Sequence, residues 1–319
     1  MNQTLHQSTS HSSETIVGSE YRPCLCGSPD ATEILVSRDY INWLPGRFRV
    51  VKCDACSLIR THPRPSPEEL GPYYPDNYGP YGSAKVRGPL RRTIRRFIPP
   101  SKDSDIPHFE QPGRALELGC SHGSFLDELV GKGWKVTGVE YSENVANGAR
   151  QRGHDVRVGP AEQMTFDRGS FDLIVGWMVV EHMSDPTLVL RNAASWAAPG
   201  ARLAISVPNV DSHSFRRFGS RWVALHVPNH LYHFSPKTIT ETLARAGWRV
   251  DVVHHQVTVR TAIESARVTL WPRPIPGRLR RLWSLTSNIL TLAGVPIAVR
   301  QARKGTADRM TVWATRLDD

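Results

Sequence analysis

The sequence predicts an α/β protein in which a doubly wound, mostly parallel sheet follows a small N-terminal unit. Three observations support this fold class. Strand-like and helix-like segments alternate regularly after residue 112, a glycine-rich turn directly follows the first of these strands, and two close cysteine pairs lie upstream within residues 21–80. Such alternation is typical of βαβ units that bury a parallel sheet between two layers of helices.

The strand-like and helix-like segments can be assigned in order along the chain. They read RALEL, SFLDELVGKG, WKVTGVE, SENVANGARQRG, DVRV, FDLIVGWMVV, PTLVLRNAASWAAPG and ARLAISVPN. After a polar and aromatic stretch at 209–234, SPKTITETLARAG predicts a helix with Ser235 as N-cap, Pro236 at its first position and Gly247 at its end. Two further strands, WRVDVVHHQVTV and RMTVWATRL, complete the prediction.

Four cysteines form two pairs in the N-terminal part of the chain, Cys24 with Cys26 and Cys53 with Cys56. Zinc binds four thiolates in a tetrahedron, and a pair held on a tight turn supplies two of its vertices. Gly27, directly after Cys26, suits such a turn. We therefore predict a structural Zn²⁺ with no open coordination position; the other interpretation is four buried free thiols.

Composition and these patterns together predict the domain organisation. The 319 residues, 39% hydrophobic and 22% charged, are typical of a soluble globular chain of about two domains. Residues 1–20 contain eight Ser or Thr, which indicates a disordered tail. The predicted units are the tail at 1–20, a zinc-ribbon-like unit at 21–80, a basic linker or helix at 81–111 containing GPLRRTIRRFIPP, and a domain at 112–319 with insertions at 209–234 and 262–305.

The net charge of +10 is concentrated in two segments. Residues 77–102 hold seven Lys or Arg and no acid, and residues 267–304 hold eight and no acid, so the rest of the chain is slightly acidic. Each segment could contact a phosphate-bearing substrate, a polyanion or an anionic membrane, or could simply be a solvated helix face. We expect no nucleic-acid partner for the central domain, and a peripheral membrane contact through 267–304 stays open.

Cysteine usage and the N-terminal residues predict the location of the protein. Five cysteines without a charged-then-apolar leader indicate a reducing compartment, so we expect a cytoplasmic protein, with membrane-peripheral attachment left open. The apolar centre of 267–304 is interrupted by Ser, Asn, Gly and Pro. A spanning helix is therefore not expected there; a packing helix is the default, and an interfacial helix or a lid are the other interpretations.

The turn ALELGCSHGS predicts the ligand of the large domain. Glu117 ends the first strand of that domain, and Gly119, Cys120 and Gly123 follow in the turn, where glycines are expected to let a ligand approach the backbone closely. A dinucleotide fingerprint would need GxGxxG and would not favour an acid beside pyrophosphate. S-adenosylmethionine (SAM) carries an ammonium and a sulfonium, which suit Glu117, and Glu140 at the next strand tip can accept the ribose hydroxyls.

These motifs resemble those of the class I SAM-dependent methyltransferases over roughly 112–260. The segments ALELGCSHGSFL, GVEYSE, GPAEQMTF, FDLIVGWMVVEHMSDP and AAPGARLAISVPN are similar to the five motifs of that family. The resemblance implies a Rossmann-like seven-stranded sheet with its last strand antiparallel. It also implies further cofactor contacts: Tyr141 against the adenine, Ala161, Glu162 and Met164 around the base, and Trp177 in the pocket wall. Pro160 stands where the family often has Asp.

The N-terminal unit resembles the zinc-ribbon leader of one branch of this family, which includes C-methyltransferases of nucleotide-linked deoxysugars. In that branch a stretch similar to NHLYHFS carries a general-base histidine at the position of His230. This chain has Val227 and Asn229 where the branch has Tyr and Glu. His182, after the fourth strand and at the expected start of the next helix, is the second catalytic candidate.

The other interpretation of these histidines is structural, because a loop histidine commonly hydrogen-bonds a backbone carbonyl. His226, Tyr232 and His233 lie in the same stretch as His230 and are weaker candidates for chemistry.

The predicted function is methyl transfer from SAM to an O or C atom of a small-molecule or sugar/glycan-linked acceptor. The two insertions are expected to shape the acceptor site or to act as lids. Two other hypotheses are carried with it: a zinc-ribbon adaptor with a non-catalytic methyltransferase-like scaffold, and an RNA methyltransferase that uses the basic segments. Acceptor identity and oligomeric state are left open.

Overall fold

The structure, a computed structural model, describes residues 15–74 and 106–317. The N-terminal unit consists of strands β1 (Ala31–Ser37), β2 (Phe48–Cys53) and β3 (Ile59–Thr61), followed by the short helix α1 (Pro67–Leu70). The predicted basic helix GPLRRTIRRFIPP lies outside the described residues. Residues 15–20, expected in the disordered tail, instead pair with this unit: the N–H groups of Val17 and Glu20 donate to the carbonyl oxygens of Arg47 and Arg64.

The large domain alternates strands and helices as the sequence predicts. Its strands are β4 (Arg114–Leu118), β5 (Lys135–Glu140), β6 (Asp155–Val158), β7 (Phe171–Trp177), β8 (Ala197–Pro208), β9 (Tyr232–His233), β10 (Trp248–His255) and β11 (Arg309–Arg316). Its helices are α2 (Ser124–Val130), α3 (Glu143–Arg150), α4 (Pro186–Trp196), α5 (His213–Phe218), α6 (Pro236–Arg245), α7 (Arg260–Leu270) and α8 (Gly277–Arg303).

Seven strands form the main sheet in the order β10-β11-β8-β7-β4-β5-β6. Strands β4 to β8 run parallel, whereas β11 is antiparallel to both β8 and β10. The predicted sheet, mostly parallel with its last strand antiparallel, is therefore confirmed. Because the chain builds outward from β4 to β6 and then returns to β7, the strand order reverses between β4 and β7, and a crevice is expected at their carboxyl ends.

Local capping signals fix α6 as predicted. The Ser235 hydroxyl accepts from the N–H of Thr238, and the Thr238 hydroxyl accepts in return from the N–H of Ser235. Pro236 occupies the first turn, and Gly247, with a φ of 86°, follows the helix end. His182 does not begin the next helix: it ends a short 3₁₀ turn (Val180–His182), and α4 begins only at Pro186.

The 209–234 insertion joins the N-terminal unit to the large domain. Its strand β9 pairs antiparallel with β3, so the smaller sheet has the order β1-β2-β3-β9. Cys24, Cys53, Cys56 and Leu58 share one apolar core with Leu231, Phe234 and the strands of the main sheet, a grouping that local sequence patterns do not show. The N-terminal unit is thus packed directly onto the loop that carries His230.

Helices α7 and α8 form a hairpin between the two antiparallel strands β10 and β11. The default expectation of a packing helix in 267–304 is not met, because only Ser287 and Ala298 of the 27-residue α8 are buried. In the described part of the chain, α8 is the one helix whose length and composition would allow it to cross a membrane.

Candidate active site and metal centre

Glu117 lies in β4, one residue before that strand ends at the crevice, and is 3% exposed. Its Oε2 atom is buried and has no hydrogen-bond partner among the described residues. Burial, and secondly the charge of nearby Glu140, raise the pKa of Glu117 well above its usual range. A buried carboxyl oxygen without a partner is costly unless a ligand completes it, and a cationic ligand would also restore its charge.

The turn after β4 folds back onto the neighbouring strand. The N–H groups of Gly119 and Cys120 both donate to the carbonyl oxygen of Val139, at 2.8 and 3.0 Å. Gly119 and Gly123 have φ angles of 71° and 78°, in the left-handed region that favours glycine. These glycines were expected to leave room for a ligand. Added Cβ atoms would instead meet Val179 at 2.7 Å and Ala149 at 2.9 Å, so the missing side chains allow close packing of the turn.

Glu140 ends β5 beside the same turn and is 4% exposed. Its Oε2 accepts from the N–H of Ser121 (2.9 Å), and its Oε1 accepts from the N–H of Ser142 (3.1 Å). The two backbone donors hold the carboxylate at the strand tip, and each oxygen keeps further lone pairs. Tyr141 follows with 67% of its surface exposed, so its ring is available as a face for a planar ligand.

The residues expected around the adenine base lie after β6, in a short 3₁₀ turn (Ala161–Gln163) and directly after it. One oxygen of the Glu162 carboxylate is engaged, because its Oε1 accepts from the N–H groups of Ser184 (2.7 Å) and Asp185 (3.2 Å). Met164 and Ala161 are half-buried and pack against the main core. Oε1 of Glu162 therefore helps to fix the chain at the start of α4, and its predicted contact with the adenine base stays a prediction.

Trp177, predicted to lie in the pocket wall, is the last residue of β7. Its ring meets Phe125 of α2 edge-on, with the ring centroids 5.2 Å apart. Its indole Nε1 is buried without a hydrogen-bond partner in the described residues. Glu117 and Trp177 thus leave one acceptor and one donor without partners near the carboxyl ends of β4 and β7. This pair fits a ligand that carries both an ammonium group and a carboxylate, such as SAM.

Three histidines and one carboxyl group converge beside the end of β7. The rings of His182 and His226 lie with their centroids 4.6 and 4.8 Å from that of His230. Glu181 is fully buried, its Oε1 lies 3.9 Å from Nε2 of His230, and neither of its oxygens has a hydrogen-bond partner among the described residues. Both catalytic candidates, His182 and His230, are thus brought together, although 47 residues separate them in sequence.

Hydrogen bonds constrain which ring nitrogen carries the proton in each of the two candidate bases. Nδ1 of His230 lies 3.0 Å from the carbonyl oxygen of Ala224, which can only accept, so the neutral ring carries its proton on Nδ1. The lone pair on Nε2 of His230 then accepts from Nδ1 of His226, at 3.3 Å. Nδ1 of His182 lies 2.9 Å from the hydroxyl of Tyr74, which donates to the carbonyl oxygen of Asn229. When this hydroxyl donates to Asn229, Nδ1 of His182 donates to the hydroxyl and Nε2 of His182 keeps its lone pair.

Burial sets the charge of this cluster. It lowers the pKa of His182 to about 4, and it lowers the pKa of His230 well below its usual range, with neighbouring His182 and His226 adding to the effect. It raises the pKa of Glu181 to about 8. The cluster is therefore neutral at pH 7. Glu181, His182 and His230 also each offer a ligand atom within 4.8 Å of the others, so they could hold a metal ion.

The four predicted zinc ligands come together in the N-terminal unit. The Sγ atoms of Cys24 and Cys56 are 3.5 Å apart, and those of Cys26 and Cys53 are 3.6 Å apart. All four sulfur atoms lie within 4.8 Å of one another. Zn–S bonds of about 2.3 Å in a tetrahedron place sulfur atoms about 3.8 Å apart. The arrangement fits a four-thiolate metal site.

Backbone N–H groups lower the pKa of one of these thiols, Cys53, and so favour the thiolate that a metal ion binds. Burial acts to raise the pKa of Cys53, but the N–H groups of Cys56 and Ala55 and the neighbouring thiols lower it to about 7. The pKa of Cys24 is raised by burial. A metal ion would supply the charge that allows all four groups to be thiolates.

Sequence reasoning missed Glu181, Tyr74 and Thr61, which complete the His cluster. Glu181 precedes His182, and an acid beside a histidine was the available signal. Tyr74 and Thr61 belong to the N-terminal unit and reach the cluster only through the tertiary fold: the Thr61 hydroxyl donates to the carbonyl oxygen of His230 at 3.1 Å.

A parallel sheet with an antiparallel last strand and two buried acids near the carboxyl ends of β4 and β5 is the arrangement expected of a SAM-dependent α/β methyltransferase. The chain belongs to the class I SAM-dependent methyltransferases: the model of the family described as "Methyltransferase domain" matches residues 84–253, more than half of the 319 residues.

Curated relatives are similar over part of the large domain. A ubiquinone biosynthesis O-methyltransferase from Xanthomonas euvesicatoria pv. vesicatoria is 27% identical over 153 residues, which cover 44% of this chain and 64% of the relative. One of the same name from Caulobacter is 28% identical over 171 residues, 48% of this chain and 66% of the relative. The chain thus spans slightly less than two thirds of the length of these relatives.

Solved structures also resemble the fold. A SAM-dependent methyltransferase from Mesorhizobium loti is 17% identical, with a TM-score of 0.45 over 70% of this chain and 96% of that chain. One from Archaeoglobus fulgidus is 18% identical, with a TM-score of 0.46 over 71% of this chain and 93% of that chain.

Proposed function

We propose that the protein transfers the methyl group of SAM to a hydroxyl oxygen of a small-molecule acceptor. The observation that carries this proposal is the neutral cluster of Glu181, His182 and His230 beside the end of β7. Nε2 of His182 and Nε2 of His230, which is hydrogen-bonded to Nδ1 of His226, are its candidate proton acceptors. Bound SAM would supply an electrophilic methyl group, and Glu117, Glu140 and Trp177 would hold it in the crevice.

The residues of the cluster would remove the acceptor proton. As the oxygen–carbon bond forms and the sulfur–carbon bond breaks, the hydroxyl proton passes to Nε2 of His182, or to Nε2 of His230 once its contact with Nδ1 of His226 has opened. The carbonyl oxygen of Ala224, which accepts from Nδ1 of His230, would hold that ring in place and stabilise the resulting imidazolium. The bonds that form and break balance without a further reactant.

The lowered basicity of the histidines favours an acidic hydroxyl. A phenol, with a pKa near 10, loses its proton to a weak base far more easily than a sugar hydroxyl does. The relatives named for O-methylation in ubiquinone biosynthesis support oxygen as the methylated atom. Val227 is buried in a core cluster and Asn229 donates to the carbonyl oxygen of Tyr73, so both positions have structural roles here, which weighs against sugar C-methylation.

Acceptor-dependent release of S-adenosylhomocysteine from a panel of phenols, sugar nucleotides and RNA tests the proposal. We expect turnover with phenols and a loss of about 100-fold or more in kcat for His230→Gln. His255→Gln, on the edge strand β10, is the matched control and should keep wild-type kcat. SAM binding without turnover of any acceptor would instead support the non-catalytic scaffold, and turnover of RNA alone would support the RNA methyltransferase.

The zinc site belongs to the same proposal as a structural element. Cys24, Cys26, Cys53 and Cys56 would hold one Zn²⁺ with no open position, so the metal would stabilise the N-terminal unit and take no part in the reaction.

A further inference from the structure

The α7–α8 hairpin exposes far more apolar surface than a packed helix pair does. Leu285, Ile289 and Ile297 on α8 are 64%, 67% and 64% exposed, and Leu270 and Trp271 at the turn of the hairpin are 84% and 52% exposed. Scattered exposed apolar residues are normal, but a continuous group of this kind marks a surface that contacts something other than water.

A groove between the two helices extends the same apolar surface. It encloses about 850 Å³, and its lining includes Ile263, Leu270, Leu282, Trp283, Leu290 and Ile297. The indole Nε1 of Trp283 donates to Glu264 (3.0 Å), and Arg267 also pairs with Glu264 (2.8 Å). These contacts fix the two helices to each other and neutralise the acid nearest to the hairpin turn.

Basic residues flank the apolar centre of α8 at both ends. Residues 282–299 carry no charge, while Arg278, Arg280 and Arg281 precede them and Arg300, Arg303 and Lys304 follow. No acid lies within 267–304. A second copy of the chain would bring two such basic surfaces together, which like-charge repulsion opposes, whereas an anionic surface complements them.

The topology excludes a spanning orientation of α8 in the folded protein. The hairpin leaves from β10 and returns to β11, and these strands pair antiparallel from Trp248 opposite Arg316 to His255 opposite Met310. Both ends of the hairpin therefore lie on one side of any membrane. The 11-residue α7, about 16 Å long, is too short to cross a hydrocarbon core of about 30 Å as the returning segment.

We propose that the α7–α8 hairpin docks onto an anionic bilayer surface, with its apolar side in the interface and its arginines against lipid phosphates. Leu270 and Trp271 at the turn suit the boundary between headgroups and acyl chains, where tryptophan is enriched. Helix α7 contacts the segment that leads to the histidine cluster, since the Ser265 hydroxyl accepts from the N–H of Val223, three residues before His226. The docking proposal does not depend on the acceptor.

Vesicle flotation of the full chain tests the proposal. Vesicles of phosphatidylcholine with phosphatidylglycerol are compared with vesicles of phosphatidylcholine alone, each at low and high salt. We expect flotation with the anionic vesicles, weakened by salt. The Leu285→Glu/Ile289→Glu double variant should lose about tenfold or more of its partitioning, because two exposed aliphatic side chains no longer enter the bilayer.

Val130→Glu is the matched control, because Val130 is 49% exposed at the end of α2, away from the hairpin, and should leave flotation unchanged. Unaltered far-UV circular dichroism would show that the double variant is folded. Equal flotation of wild type and double variant would overturn the proposal. Absence of flotation of the wild-type chain with anionic vesicles would also overturn it. If the wild-type chain does not float but is a dimer in solution, and the double variant is a monomer, the apolar surface binds a second copy and not a membrane.

Discussion

The hydroxyl of Thr61 donates to the carbonyl oxygen of His230 at 3.1 Å, although the two residues are 169 positions apart. The N–H of Thr61 also donates to the carbonyl oxygen of Leu231 at 3.0 Å. Through these bonds and the β3–β9 pairing, the N-terminal unit holds the loop that carries a candidate base. The unit is therefore expected to influence methyl transfer without contacting the reacting atoms.

Thr61→Val tests this positioning role. Valine has a similar shape but cannot donate to the His230 carbonyl, so we expect a loss of about 1 kcal/mol in unfolding free energy. We also expect a fall in kcat with the KM for SAM unchanged, because the cofactor residues lie on other elements. Chemical denaturation and steady-state kinetics measure the two effects. Thr32→Val, on β1, is the control; equal kcat in both variants would show that the bond does not position His230.

Substitution of the predicted zinc ligand Cys53 should lower stability and kcat more than Thr61→Val does. Cys53→Ser is expected to lower the bound zinc, measured by elemental analysis, from about one per chain to near zero, because three thiolates leave the tetrahedron incomplete. Thermal stability and kcat should fall together, since the site shares a core with Leu231 and Phe234. Cys120→Ser, in the cofactor turn and outside the cluster, should keep its zinc. Zinc-free wild-type protein would contradict this prediction.

Local signals in the sequence predict the sheet, the caps and the cofactor strand tips. Ser235 and Gly247 act on their own helix, and Glu117 and Glu140 follow strands whose apolar runs identify them, so neighbouring residues contain the necessary information. The roles of the glycines were less evident, because whether an added Cβ at Gly119 would meet a ligand or Val179 depends on tertiary packing.

Long-range pairing explains what the sequence did not show. Strand β9 has only two residues and no strand signal of its own, and it forms because β3 supplies a partner edge. Glu181 reads as a solvent-facing acid, yet it is fully buried where β7 meets the insertion loop. The exposure of α8 likewise depends on how the hairpin leaves the sheet, and composition alone favoured a packed helix.

The raised pKa of Glu117 predicts a pH-dependent affinity for SAM. In the free protein this carboxyl holds its proton at pH values where an exposed glutamate is ionised, whereas an ammonium group prefers the carboxylate. Binding should therefore release a proton, and the affinity should rise as the pH rises toward the raised pKa. Calorimetry in buffers of different ionisation enthalpy measures both quantities.

Glu117→Gln tests the same contact directly. The variant should bind SAM about 10- to 100-fold more weakly and without proton release, because a charge-assisted hydrogen bond is lost. Glu143→Gln, a surface substitution in α3 that breaks only a pair with Arg150, is the matched control. Wild-type affinity in Glu117→Gln would remove Glu117 from the cofactor site.

The lowered pKa of His182 predicts the pH at which kcat begins to fall on acidification. Because burial lowers its pKa to about 4, its base form is already complete at neutral pH. Lowering the pH from 7 should leave kcat nearly constant through the ordinary histidine range near 6.5, with a decline only nearer to 4. Steady-state kinetics with a phenolic acceptor measure the limb. A decline centred near 6.5 would mean that the catalytic base is a solvated group elsewhere.

Buried histidines should also make folding stability fall on acidification. Burial lowers the pKa of His233 to about 3, whereas an unfolded histidine titrates near 6.5. Between these values the unfolded chain binds a proton that the folded protein excludes, so the free energy of unfolding decreases as pH falls, by about 1.4 kcal/mol per pH unit for each such group. Glu181, with its pKa raised to about 8, opposes this between about pH 8 and 4.5, because it gains its proton more readily in the folded state.

His233→Gln measures how much His233 alone contributes to the fall in the free energy of unfolding at low pH. Its amide can still reach the Thr61 hydroxyl, which lies 3.4 Å from Nε2 of His233, but it cannot take up a proton. Denaturation by urea at several pH values below 6.5 should show a slope smaller than that of wild type by about 1.4 kcal/mol per pH unit. His108→Gln, at an exposed position, should keep the wild-type slope. Identical slopes in wild type and His233→Gln would mean that His233 takes up its proton in the folded protein as readily as in the unfolded chain.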